Sequence, residues 1–175
     1  RDLAFVPGTL IVPVGKTVRF PNYDKVRHSI YSFSKIAKID IALYGRDQTR
    51  SFTFSKAGAV SLGCKIHDTM RGRIKVVDTL FAAQSNINGQ ARVDRLPMGK
   101  ATLKVWHQDQ RAPNGETAQV IEIGAGAAQT KRAQRNFSSK MLEIKGQPTP
   151  VTTTTTTTYY EDGTTHTSSR NDRSA

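Results

Sequence analysis

One cysteine serves the whole chain, and this most constrains what the chain can be. It lies in the run Gly63-Cys64-Lys65-Ile66-His67-Asp68-Thr69-Met70. A lone cysteine cannot close an internal disulfide, so it pairs outside the chain, reacts, packs as a buried spectator or binds a metal. Spacing decides among these. His67 follows three residues after Cys64, and Met70 three after that. Thiolate, imidazole and thioether on one short loop form a soft donor set, which selects copper over magnesium or calcium. A second imidazole would complete a His2Cys plane with a weak axial Met, the pattern of electron-transfer copper sites. His28, in Phe20-Pro21-Asn22-Tyr23-Asp24-Lys25-Val26-Arg27-His28-Ser29, is the candidate.

Other readings fit less well. Cys64 alone would most often be a small buried hydrophobe. Paired with His67 it could be a nucleophile and its base, but no helix N-terminus or oxyanion site is apparent nearby. Structural zinc takes four Cys/His ligands and rarely a thioether. A copper enzyme needs a further open metal position. The remaining histidines are His107, read as a structural residue at a strand end, and His166, read as solvated. The chain is therefore expected not to be an enzyme.

The residues around this loop predict short strands. Leu3–Val6 reads as a short extended run ended by Pro7-Gly8. Thr9–Val14 and Thr17–Phe20 are strands joined at Gly15-Lys16. His28–Ser34 alternates polar and apolar residues, as a half-buried strand does. Ile36–Tyr44 favours a strand over a helix. Arg50–Phe54 alternates, Val60–Leu62 runs into Gly63-Cys64, and Arg73–Val77 carries the chain back. Many short strands separated by turn residues predict an all-β sandwich or barrel, here over residues 1–78.

A second all-β unit is expected over residues 79–128. Asn88-Gly89 is a hairpin turn signal, Ala91–Asp94 alternates, Leu96–Gly99 is a turn, and Ala101–His107 and Val120–Ile123 read as strands. About 50 residues is marginal for a lone core, so this unit is expected to lean on the first. Residues 129–146 are a short helix or linker, with Ala133, Phe137, Met141 and Ile144 at helical spacing. Residues 147–175, including Thr152–Thr158, read as a disordered low-complexity tail, too polar to offset ordering entropy.

The net charge is +12. Residues 1–78 contribute +8 (14 Lys/Arg against 6 Asp/Glu), so the excess lies with the candidate site. Such a field steers the unit toward an acidic partner. The cations are scattered, without the dense run or module of a nucleic-acid binder. Lys65, Arg71 and Arg73 could form a docking patch, although charges beside a loop are commonly just solvated. No apolar run is long enough to span a bilayer. Beginning at Arg1 rather than Met, the chain reads as a fragment or a processed form, with any signal peptide already removed.

At these residues the chain resembles the cupredoxins, the small blue-copper proteins. Thr9–Asp24 is similar to their opening strands. Phe54–Gly58, with Gly63–Val76, is similar to their ligand loop and last strand. The spacing C-x2-H-x2-M resembles that of amicyanin. The resemblance implies a Greek-key β-sandwich holding one type 1 copper ion through His28, Cys64, His67 and Met70. It further implies His67 as the electron exit, a periplasmic setting, and one-electron transfer with an acidic redox partner. Ser29 departs from the family, which commonly has Asn there to tie the two ligand-bearing segments together. Residues 79–126 resemble a carboxypeptidase-regulatory or transthyretin-like module, through Asn86–Gly89, Leu96–Gly99 and Leu103–His107. The combination is similar to bacterial proteins labelled methylamine-utilisation proteins. The alternative function is a cell-envelope binding or copper-handling module that carries no electrons.

Overall fold

A computed structural model of the protein describes residues 2–125, Lys131, Ala133, 155–159 and 165–169. The chain divides into two compact units, Arg1–Leu80 and Phe81–Ala175. The architecture is all-β.

The first unit contains seven strands: β1 Thr9–Pro13, β2 Thr17–Pro21, β3 His28–Ser34, β4 Ala37–Tyr44, β5 Thr49–Thr53, β6 Gly58–Gly63 and β7 Arg71–Val77. Five form one sheet in the order β1-β7-β6-β3-β4, and β2 pairs with β5 in a second. β1 lies parallel to β7, while β3–β4, β3–β6 and β6–β7 are antiparallel. The path is a Greek key: β5 leaves for the small sheet, and β6 returns beside β3 rather than β4.

Apolar residues at alternate strand positions turn to one side and bury together. Val12, Ile30, Ile39, Val60, Leu62, Ile74 and Val76 from the large sheet share one core with Phe20 and Phe54, and Val18 and Phe52 pack against it. Two sheets closing on one apolar layer make the unit a sandwich. β1 and β2 are consecutive but belong to different sheets. Gly15, at φ +85°, makes the corner between them, and its amide donates to the Phe54 carbonyl at 2.7 Å.

Leu3–Val6 is not a strand. The amides of Asp2 and Leu3 donate to the Asp24 carboxylate, at 2.7 and 3.2 Å, instead of entering a ladder. Phe5 anchors this segment by lying across Gly72, where an added Cβ would come within 2.9 Å of its ring.

The described residues of the second unit hold two separate ladders. β8 Gly99–Trp106 pairs antiparallel with β9 Glu116–Ile123, and a 3₁₀ turn, Pro113–Gly115, precedes β9. Buried Gln110 braces this connection by donating to the carbonyls of Val105 and Gly115, both at 2.9 Å. Asn86–Gln90 is a turn as expected, but Ala91–Asp94 is not a strand. The Asn86 side chain accepts the amides of Asn88 and Gln90, and Arg92 pairs locally with Asp94. The turn thus closes on itself and starts no ladder. β10 Thr155–Tyr159 pairs antiparallel with β11 Thr165–Ser169, consistent with the strand preference of β-branched threonine. Apart from these ten residues and Lys131 and Ala133, the expected helix and tail lie outside the described residues.

Gly63 faces Tyr31 across β3 and β6. A Cβ built on Gly63 would lie 2.7 Å from the Tyr31 ring, so the ring occupies the space a side chain would need. Gly63→Ala is expected to destabilise the protein by about 1–3 kcal/mol through overpacking, seen as a lower urea midpoint. Gly45→Ala, whose new atom would meet nothing nearer than 3.9 Å, should change stability by less than about 0.5 kcal/mol.

Candidate metal centre

His28 opens β3, and Cys64 directly follows the end of β6. These strands are antiparallel neighbours registered through Tyr31 and Gly63. Following that register two residues onward sets Ser29 opposite Lys65. The strand pairing therefore carries residues 36 positions apart to one place. His67 lies on the loop between β6 and β7, which the Met70 amide closes by donating to the His67 carbonyl at 2.9 Å.

The result is a cluster of three donors. One ligand atom each from His28, Cys64 and His67 lies within 4.8 Å of the others. Cys64 Sγ is 3.8 Å from His28 Nδ1 and 3.5 Å from His67 Nδ1. Metal bonds of roughly 2.0 Å to nitrogen and 2.3 Å to sulfur, opened to a trigonal angle, require a sulfur–nitrogen edge of roughly 3.8 Å, so the gap fits one ion. Cys64 is 2% exposed and His28 3%, while His67 is half-buried. The two imidazoles meet edge to face, with centroids 4.9 Å apart.

Two of the three donors have a brace. His28 Nε2 lies 2.8 Å from Asp24 Oδ2. A carboxylate only accepts, so Nε2 keeps its proton there and Nδ1 is the nitrogen turned toward the sulfur. Metal-binding histidines are typically oriented by such a partner. Asp24 is placed in turn by Asn22, whose Oδ1 accepts the Asp24 amide at 2.9 Å and whose amide group donates to the carbonyls of Val26 and Tyr44. Burial raises the Asp24 carboxyl pKa, but the hydrogen bonds from His28, Asp2 and Leu3 outweigh it and hold the value at about 2.

The thiol is tuned too. Burial pushes it up, but hydrogen bonds from the Ile66 and Ser29 backbone and from the side chains of His28 and His67 bring it down to about 6. At neutral pH the metal-free site therefore presents a thiolate, the form that binds metal. Ser29 supplies the tie that its departure from Asn put in question: its Oγ accepts the Lys65 amide at 3.0 Å and lies 3.9 Å from Cys64 Sγ.

The structure brings three of the four predicted ligand residues together. Met70 is 5% exposed on the same loop, tied to His67 through its backbone amide. His107 belongs to the second unit, where its Nδ1 accepts the Asp109 amide at 3.2 Å. The sequence alone assigns Asp24 no role, although an acid four residues before a candidate ligand, next to a Pro-Asn turn, is a usable signal. A buried thiolate with two imidazoles suits copper. Structural zinc would ask for a fourth Cys or His, and among the described residues no fourth histidine, cysteine or carboxylate joins this group.

No family model matches the chain, and no curated protein matches it. Similar solved structures include a reduced mutant of amicyanin, 26% identical over 44% of this chain and 76% of that one, with a TM-score of 0.42. A Cu-containing nitrite reductase from Thermus scotoductus SA-01 is 30% identical over 44% of this chain and 21% of its own, with a TM-score of 0.41. A purple cupredoxin from Nitrosopumilus maritimus is 26% identical over 41% of this chain and 80% of its own, with a TM-score of 0.38.

Two outcomes are expected. The folded Cys64 pKa of about 6 lies below the ordinary 9.0, so its stabilising contribution is fully present above pH 9 and lost as pH falls toward 6. In metal-free protein, thiolate absorbance should titrate near pH 6, and the urea midpoint should rise between pH 6 and 9 relative to Cys64→Ser. Asp24→Asn takes the negative charge and one of the two acceptor oxygens from the group that holds Nε2–H, and should weaken copper binding about 10- to 100-fold, measured by competition with a chelator of known affinity.

Proposed function

We propose that the first unit is a type 1 copper domain that passes single electrons between redox proteins and transforms no substrate. The observation carrying this reading is the convergence of one buried thiolate and two imidazoles at a spacing that fits one ion. His28, Cys64 and His67 would hold the ion, with the Met70 thioether as a weaker fourth ligand. Copper supplies a one-electron couple between its cupric and cuprous forms.

The chain's part is to keep the donors still. The ladder between β3 and β6 fixes the distance from His28 to Cys64. Asp24 fixes the rotation of the His28 ring, and the Ser29–Lys65 hydrogen bond fixes the approach of the Cys64 backbone. Burial keeps water from the sulfur, while half-buried His67 gives the site its edge toward solvent. A donor set that neither charge state has to rearrange exchanges electrons quickly.

The redox partner is read as an acidic protein, since residues 1–78 carry +8 and opposite charge speeds encounter. The setting is read as the periplasm. No helix among the described residues is long and apolar enough to cross a membrane. The second unit, with its β8–β9 ladder, is read as the transthyretin-like module.

Cu(II) added to the metal-free protein is expected to produce an intense visible thiolate-to-copper band, absent in Cys64→Ala, and a reversible one-electron wave in voltammetry. A colourless copper complex, or one without a reversible couple, overturns the reading.

A further inference from the structure

The outer face of the large sheet carries a second feature that the metal centre does not use. Tyr31 and Phe33 project there from β3, with ring centroids 5.2 Å apart. Phe33 is 84% exposed, an unusual place for a large apolar ring on a paired strand. Arg71 and Arg73 project from β7, and Arg71 Nη1 donates to the Tyr31 hydroxyl at 2.7 Å. With Ser34 and Ser61 these residues line an open groove of about 500 Å³.

The charge of this face is one-sided. The register sets Lys38 opposite Phe33 and Asp40 opposite Tyr31, and aligns Arg73 and Lys75 with Ser61 and Ala59 of β6. Among the strand residues placed on this face, Asp40 is the only carboxylate, and it is paired with Lys65. The arginines therefore act uncompensated by any strand carboxylate. Arg71 opens β7 directly after Met70 and pairs with Gly63, so the cationic patch starts at the edge of the ligand loop and runs onto the sheet through Arg73.

The groove is joined to the metal centre by a short path. The Tyr31 ring lies flat over Gly63, filling the position of the missing Cβ. Gly63 is bonded directly to Cys64. A partner seated on Tyr31 is thus one ring and one residue away from the ligand sulfur.

We propose that this groove docks an acidic protein segment. Its carboxylates would pair with the guanidinium forks of Arg71 and Arg73, which suit bidentate recognition, and an apolar side chain would cover Phe33. Aromatic rings and arginine are the residue types enriched where proteins bind one another. Single-stranded nucleic acid fits less well, because bases stack on free ring faces. Here one face of Tyr31 is spent on Gly63, its hydroxyl is engaged by Arg71, and Phe33 is tilted 47° to it. The inference rests on the electron-carrier reading only for the redox character of the partner; docking itself needs no metal.

The test uses the full chain, isotope-labelled, in metal-free and copper-loaded forms, with a capped hexaglutamate peptide as probe. Saturable backbone shifts are expected to centre on Tyr31, Phe33, Ser61, Arg71 and Arg73. The affinity should fall steeply with added salt and drop at least tenfold in Arg71→Glu/Arg73→Glu. Phe33→Ala, which truncates an exposed ring and leaves the core intact, should weaken a probe of alternating Glu and Leu severalfold at an unchanged thermal midpoint. Shifts centred on the 64–70 loop, shifts spread over scattered lysines, no saturable binding, or tighter binding of an oligothymidylate at the same residues would each overturn the proposal. If the peptide binds as expected while the copper protein lacks a reversible couple, the docking surface stands and the electron-carrier reading falls.

Discussion

The Lys65 amide donates to Ser29 Oγ at 3.0 Å, and the rest of the site is built outward from that bond. It joins the residue after His28 to the residue after Cys64, so it sets how closely the two ligand-bearing strands approach at their ends. Beyond it the ladder between β3 and β6 stops and the ligand loop begins. A hydrogen bond at such a boundary is worth about 1 kcal/mol in net stability, yet its geometric effect is larger. Losing it would let Cys64 and His28 drift apart without disturbing the core. Ser29 is itself 2% exposed, so its hydroxyl has little water to turn to, and a buried polar group left unpaired is costly. The bond is enforced by burial as much as by its own strength.

Burying a thiolate works against the hydrophobic logic that builds the sandwich. The large sheet meets the small one through Ile, Val, Leu and Phe side chains, and an ionised sulfur beside such a core loses its hydration. Several weak donors offset that loss, namely two backbone amides and two imidazoles. These donors come from β3, from the residue after Lys65 and from the loop, so the anion is stabilised only when all three segments are in place. The same requirement makes the cavity a preformed metal site. Oriented dipoles that hold a negative charge without a metal will also hold the ligand once a cation arrives.

The local part of this arrangement was legible in the chain. Cys64, His67 and Met70 are separated by steps that one loop can span, and their chemistry could be read from residue types alone. His28 could not be placed so directly, because 36 residues intervene and only strand pairing brings it near. What remained hidden were side chains that act through the backbone. Asp24 reads as one more loop acid until its oxygens are seen to accept from His28, Asp2 and Leu3. Those last two bonds also explain why the apolar run Leu3–Val6 fails to become a strand. Ser29 read as a weakness, since a hydroxyl reaches less far than an amide, and only the register reveals that the Lys65 amide comes to meet it. Ala91–Asp94 alternates correctly but has no partner edge, because the Asn86 turn closes on itself. Alternation reports which way side chains point. It does not report whether another strand is there to receive the backbone.

Two surfaces of the first unit lie close to the sulfur, the ligand loops and the outer sheet face. The loops around the site expose Tyr23, Val26 and Ile66 among the charged side chains of Lys25, Arg27, Lys65 and Asp68, so a partner there meets apolar and charged groups together. Those charges would have to be desolvated whenever a partner came into contact, at a cost that often cancels the attraction they provide. On the outer sheet face, the cations of Arg71 and Arg73 act over a Debye length of about 10 Å in moderate salt and need no full desolvation to steer an encounter. Gly63 connects the two regions. Having no Cβ, it lets Tyr31 lie against the chain beside Cys64, so the outer sheet face comes within one residue of the sulfur.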